Sequence, residues 1–254
     1  MAGSRVSKQG IAIIAFGASS AEVPWNDGSV ERWSLHDSFA VLAERHHVRR
    51  LTLATIFELH SVAEIRRIST GGYARIEEYV ERMAKMPIPI MVLDWAWLKV
   101  WPTAKMLPVK DLIARGRDYF TCTVPYMIAL AIDRIERGEN DPRIELYGVD
   151  AEIASEWSYE RPCIEWWAGL AEGRGIKVAV AKGSSLMRHA RRYPGQDRAP
   201  GHTIRVKDRL KEIDRKVAEL EQLEKAKHDE RIFLAGAASE SRFWAAAFDR
   251  EALL

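Results

Sequence analysis

Apolar positions along the chain fall into short unbroken runs separated by amphipathic stretches, and the two patterns alternate. Residues 11–16 are continuously apolar and rich in β-branched side chains, and they close on Gly17, Ala18, Ser19 and Ser20. Such a run suits a strand buried on both faces, as in a parallel sheet. Residues 51–57, 87–93, 144–149 and 176–180 repeat the pattern, which predicts five strands. Between them, residues 31–45 are compatible with a helix through Trp33, Phe39, Val41 and Leu42. Residues 72–86 carry Tyr73, Ile76, Tyr79, Val80 and Met83 at helical spacing. Residues 95–102 read as a long loop and 108–115 as a short helix. A helix over 119–137 is closed by Gly138, and another over 161–172 is entered through Arg161 and Pro162.

This alternation predicts a Rossmann-like α/β domain over residues 10–186, with a mainly parallel sheet and helices on both faces. The pattern changes after it. Residues 187–204 are rich in Arg, Pro and Gly and read as a basic arm. Residues 205–254 form a helical appendage. In it Val206, Leu210, Ile213, Val217, Leu220 and Leu223 recur at near-heptad spacing over 205–228, which predicts coiled-coil character and a homo-oligomer through that stretch. The tail, with Phe243, Trp244 and Phe248, is expected to fold back as a final helix.

Composition narrows the class. With 38 basic and 36 acidic residues the formal charge is +2, so no global field demands nucleic acid or a membrane. The two cysteines, Cys122 and Cys163, form neither a CxxC pair nor a metal spacing, which points to a reducing, cytoplasmic compartment. No stretch of about 18 apolar residues is present, so a soluble chain is expected.

The candidate chemistry gathers where strands end. In open α/β sheets ligands bind beyond the carboxyl ends of the strands. The strongest segment is Tyr147, Gly148 and Asp150 with Glu156, Tyr159, Glu160, Arg161 and Glu165 just beyond. These are a ligand site or a structural salt-bridge cluster. Gly17, Ala18, Ser19 and Ser20 form a strand-to-helix turn that can offer N–H groups and hydroxyls to a phosphate; the alternative is an ordinary tight turn. Glu58 and His60 share one side of a strand end, where a carboxylate can orient an imidazole for proton transfer; the alternative is a solvated strand end. Thr121 and Thr123 sit at a helix start, as caps or as anion contacts. Arg188, Arg191, Arg192 and Arg198 form a basic stretch that is either solvated surface or able to track phosphates. His36 and the pair His46 and His47 are weaker candidates. Asp94 and Asp150 could each reach an ion, but no DxD, HExxH or cysteine cluster is present; the metal requirement stays open.

Taken together, Phe16 to Ser20, Trp25 to Asp27, Glu58 to His60, Tyr119 to Thr123, Leu146 to Asp150 and Glu160 to Pro162 resemble a group of uncharacterised bacteriophage proteins, over about residues 10–187. More distantly, the first strand and turn look like those of 6-hydroxymethylpterin diphosphokinase-like proteins and sialyltransferase-type glycosyltransferases. That resemblance implies a Rossmann-like sheet holding a nucleotide or nucleotide-activated donor, with Gly17, Ser19 and Ser20 at the donor. It departs at Ala18, where a glycine or proline is more typical.

The expected function is a phage-type transferase using a nucleotide-sugar donor, most simply a glycosyltransferase. Asp150 or His60 acts as base, Glu58 orients, and Arg161 neutralises the leaving group. Tyr147, Gly148, Glu156, Glu165, Thr121 and Thr123 line the donor site. A hydroxymethylated DNA base is one acceptor, held by the basic arm. The alternatives are a nucleotide-sequestering protein that counters host defence, and an assembly protein working through its coiled coil.

Overall fold

The computed structural model describes residues 8–36, 42, 52–69, 76–150, 157–188 and 201–251. Its seven strands are β1 (Gly10–Ile14), β2 (Val30–Leu35), β3 (Thr55–Glu58), β4 (Ile90–Val92), β5 (Ala104–Met106), β6 (Arg143–Tyr147) and β7 (Lys177–Val180). They form one sheet in the order β5-β4-β3-β2-β1-β6-β7, and every neighbouring pair is parallel. Helices accompany them: α1 (Val62–Ser69), α2 (Ile76–Ala84), α3 (Val109–Arg115), α4 (Thr123–Glu136) and α5 (Trp157–Gly173). These elements fall in one compact unit, Met1–His189. Helix α6 (Gly201–Glu251) falls in a second, Ala190–Leu254. The chain therefore has a Rossmann-like α/β fold with a long C-terminal helix.

Alternation along the strands sorts their side chains onto two faces. Ile11, Ile13, Trp33, Leu35, Phe57, Ile144 and Leu146 pack against Met127, Ile128, Ile164 and Trp167 of α4 and α5. In α4 nearly the whole circumference is buried, and in α5 Cys163, Ile164, Trp167, Ala168 and Ala171 form a stripe at helical spacing. On the opposite face Ile56, Ile90 and Val92 meet Tyr79 and Met83 of α2, together with Trp97 and Trp101. Ile14 meets Val23 and Leu42. Burying a side chain of this size is worth roughly 1.5–3 kcal/mol, so each face supplies its own share of the stability.

Four local expectations change. Residues 31–35, placed in a helix over 31–45, belong to strand β2 between β1 and β3. Trp33 and Leu35 follow a period of two, and pairing on both edges overrides weak helical spacing. Residues 95–102 are not simply a loop: Trp95–Lys99 makes a 3-10 helix before edge strand β5. Helix α5 begins at Trp157, so Pro162 lies inside it rather than at its entrance. The tail does not fold back, because α6 runs unbroken for 51 residues, about 75 Å at 1.5 Å per residue. Between the expected helix end and the tail the sequence supplies only Gly236 and no proline, too little to stop a helix. No helix among the described residues is long and apolar enough to cross a membrane.

Candidate functional site

The strand order creates one topological break. From β1 the chain adds β2 to β5 successively on one side, then returns to place β6 on the other side of β1. The crevice of such a sheet opens at the carboxyl ends of the two strands flanking the break. Here these are β1, followed by Gly17 to Ser20, and β6, followed by Gly148 to Asp150.

Those two loops are tied together tightly. Ala15 N–H donates to Tyr147 O and Gly17 N–H to Gly148 O, both at 2.8 Å. Gly148 N–H donates to Ser19 Oγ at 2.8 Å. Ser19 N–H donates to Asp150 Oδ2 at 2.9 Å, and the Ser19 hydroxyl donates to Asp150 Oδ1. Asp150 is thereby buried with both oxygens engaged. Glycine is required at both ends of this contact. Gly148 has φ +66, and a Cβ on it would strike the Ala15 carbonyl. A Cβ on Gly17 would strike the Asp150 carboxylate and lie 2.6 Å from Gly148 O. After Gly17, Ala18–Glu22 forms a short 3-10 helix. Its last residue, Glu22, accepts from Lys182 N–H at 2.8 Å and Gly183 N–H at 2.5 Å, which joins the loop after β7 to the same edge.

A second cluster stands at the ends of β2 and β3. Glu58 is fully buried. Its Oε1 accepts from His60 Nδ1 at 2.6 Å and from His60 N–H at 3.0 Å, and its Oε2 accepts from the Tyr79 hydroxyl. The His60 ring meets His36 edge-on at 5.6 Å, and His36 meets Phe16, just beyond β1, at 5.1 Å. The rings thus lead from the break toward the carboxylate. Local sequence explains the placement. Ser61 and Glu64 form a capping box at the start of α1, with Ser61 N–H donating to Glu64 Oε2 at 2.7 Å and Glu64 N–H to Ser61 Oγ at 3.1 Å. Asp94 accepts from Val62 N–H at 3.1 Å and Ala96 N–H at 2.9 Å, so it caps two helices. Trp97 donates to the His60 carbonyl at 2.9 Å. It stacks at 4.0 Å on Trp101, which meets Tyr79 edge-on at 6.2 Å.

The two imidazoles are pushed apart. Hydrogen bonding to Glu58 raises His60 above the usual histidine value, against the opposing effect of burial. Burial lowers His36, with His60 adding to the effect and Glu58 resisting it. For Glu58, burial favours the neutral acid, yet His60, His36 and Tyr79 together hold it below the ordinary carboxylate range. Paired groups shifted in opposite directions are the arrangement from which acid and base roles are built.

The other sequence candidates have varied surroundings. Arg161 donates to Glu165 Oε1 at 2.9 Å, Ser185 Oγ at 3.2 Å, Ser185 O at 2.7 Å and Arg188 O at 3.0 Å. Glu165 also accepts from Met187 N–H at 2.8 Å. This pair braces the loop after β7. Tyr147 donates to Glu145 at 2.8 Å, and burial with that neighbouring carboxylate pushes its phenol up. Thr121 and Thr123 flank the start of α4, but the capping position belongs to Cys122, whose side chain makes no cap hydrogen bond. Burial and the nearby Glu160 push the Cys122 thiol up to about 12. Arg188 donates to the carbonyls of Lys182 at 2.6 Å, of Ala181 at 3.1 Å and of Ser184, closing its own loop. Glu156, Arg191, Arg192, Arg198, His46 and His47 lie outside the described residues. Among the described residues no group of three or more His, Cys, Asp or Glu is placed to hold a metal ion.

His36, Tyr79 and Phe16 are the parts of the cluster that sequence reading underrates. A strand over residues 30–35 puts His36 at its carboxyl end, where it meets Phe16 and His60. Tyr79 carries no such signal, because its helical spacing accounts for it as core. Comparison with protein-family models, curated proteins and solved structures returns no match.

Proposed function

We propose that the protein is a transferase drawing on a nucleotide-activated donor, with glycosyl transfer the first reaction to test. The observation that carries this reading is the pairing of buried Glu58 with partly exposed His60, set beside His36 and Phe16 at the carboxyl edge next to the β1–β6 break. Glu58 accepts the Nδ1 proton and so fixes the tautomer that leaves His60 Nε2 as the proton acceptor. In the reaction the acceptor hydroxyl gives its proton to Nε2 as its oxygen bonds to the donor carbon. The bond from that carbon to the donor phosphate breaks, and the nucleotide leaves with the electron pair. His60 takes the role of base in preference to Asp150, whose two oxygens already receive Ser19.

Donor phosphates are assigned to the start of α4, with Thr121 and Thr123. The far end of α4 lies near the strand beginnings, since Arg134 pairs with Glu31 at 2.7 Å and Asp141 N–H reaches Gln9 O. Its N-terminus therefore faces the carboxyl edge, where a helix of 14 residues favours an anion.

The test begins with thermal shifts across nucleotides and nucleotide sugars, since a ligand of the native state raises its apparent stability. Turnover follows with the stabilising donor, using small hydroxylated acceptors and duplex DNA bearing hydroxymethylated bases. His60→Ala should cut turnover about a hundredfold or more while the donor-induced shift persists. If no nucleotide raises the melting temperature, donor binding is wrong. If a nucleotide binds but no transfer follows, the chain is a binding or sequestering protein.

A further inference from the structure

Helix α6 leaves a row of large apolar side chains in water. Leu210, Ile213, Val217, Leu220 and Leu234 are 57%, 37%, 48%, 65% and 57% exposed. Positions 210, 213, 217, 220, 224, 227, 231, 234, 238 and 241 follow alternating steps of three and four, the spacing of one continuous heptad seam. Most of the seam is apolar, but its centre is not: Glu224, Lys227 and Arg231 occupy three successive positions, followed beyond Leu234 by the small residues Ala238 and Ser241.

This order of residues says what covers the seam. A parallel partner in register would set Glu224 on Glu224, Lys227 on Lys227 and Arg231 on Arg231, three consecutive layers of like charge in an interface. It would gain attractive rim pairs such as Lys216 with Glu221, and exposed pairs of that kind contribute little. An antiparallel partner reverses the outcome. Glu224 then faces Lys227 of the second copy, and the two-fold axis repeats the contact. Outward from it, Leu220 faces Arg231, whose alkyl stem can cover it while the guanidinium reaches water. Val217 faces Leu234, Ile213 faces Ala238 and Leu210 faces Ser241, so the outer two of the four large side chains of the first half meet small ones of the second.

We propose that α6 pairs with α6 of a second copy of this chain as an antiparallel two-stranded coiled coil, centred between Glu224 and Lys227. The pairing concerns the helices alone and is independent of the transferase reading.

Charge exchange tests it on the full chain. Sedimentation equilibrium should show a concentration-dependent dimer. Glu224→Lys and Lys227→Glu, made singly, each place like charges against each other twice per dimer and should weaken association by on the order of tenfold or more. The double exchange restores the attraction and should recover association. In a parallel pair each single change would only replace one like-charge layer by another. A chain that stays monomeric to high concentration, or a dimer indifferent to Glu224→Lys, overturns the proposal. Both positions of change are exposed on one helix, and circular dichroism at equal helicity confirms that only association has moved.

Discussion

Replacing Gly148 by alanine measures how much the closeness of β1 and β6 costs to disturb. Two effects separate. The residue sits at φ +66, where an L side chain costs about 1–2 kcal/mol. The added Cβ would also strike the Ala15 carbonyl oxygen, with the carbonyl carbon 2.7 Å away and Ser20 Cβ at 3.0 Å. That carbonyl cannot swing aside freely, because the hydrogen bonds Ala15 N–Tyr147 O and Gly17 N–Gly148 O bracket it. Opening one or both costs about 0.5–1.5 kcal/mol each, so the total is about 3 kcal/mol. Gly175 supplies the control: its φ is +77 and nothing stands within 4 Å of a Cβ. Gly175→Ala should therefore cost only the backbone share, about 1–2 kcal/mol. Urea titration followed by tryptophan fluorescence suits the comparison, since eight of the nine tryptophans lie in the first unit. The two midpoints should differ by about 1 M, given a slope near 2 kcal/mol/M. Equal losses for the two variants would refute the reasoning, since the close approach would then exert no constraint.

Ser19 and Asp150 should behave as one unit. Ser19→Ala and Asp150→Asn each lose a charge-assisted contact, and a double-mutant cycle of urea midpoints should return a coupling of about 1–2 kcal/mol; additive losses would show the contact to be energetically idle. The Glu58–His60 pair has a pH signature. Because His60 is raised in the folded state, its stabilisation is complete below the ordinary histidine value of 6.5 and fades as pH rises through the raised value. Glu58 and His36 are lowered, so their contributions hold above 4.5 and 6.5 respectively and fade as pH falls through the lowered values. The stability gap between the native chain and His60→Ala should thus narrow on the alkaline side, and a gap constant from pH 5 to 9 would mean that His60 does not sense Glu58. Finally, with its thiol at about 12, Cys122 should react slowly with a disulfide reagent at pH 8, and both cysteines rapidly in denaturant. Fast labelling of the folded chain would contradict the buried setting assigned to Cys122.

The sequence by itself determined the class of fold and the places where chemistry could gather. Unbroken apolar runs such as Ile11 to Ile14 have no polar side to turn to water, so they demand cover on both faces. A parallel sheet with crossover helices supplies it. The heptad order of α6 is equally local, and so is the pairing of Glu58 with His60 two residues on. Tertiary structure alone decided the strand order. Placing β6 beside β1 joins Ser19 to Asp150 across 131 residues, and no periodicity encodes that choice. It also decided which polar groups are spoken for. Arg161 reads in sequence either as a ligand contact or as part of a salt-bridge cluster, and the fold has it brace the loop at Ser185 and Arg188. Tyr79 reads as core, yet its hydroxyl completes the setting of Glu58. Residues 30–35 show the physical reason most plainly: six residues carry too little pattern to choose between helix and strand, and the choice fell to hydrogen bonds offered by β1 and β3 on either side.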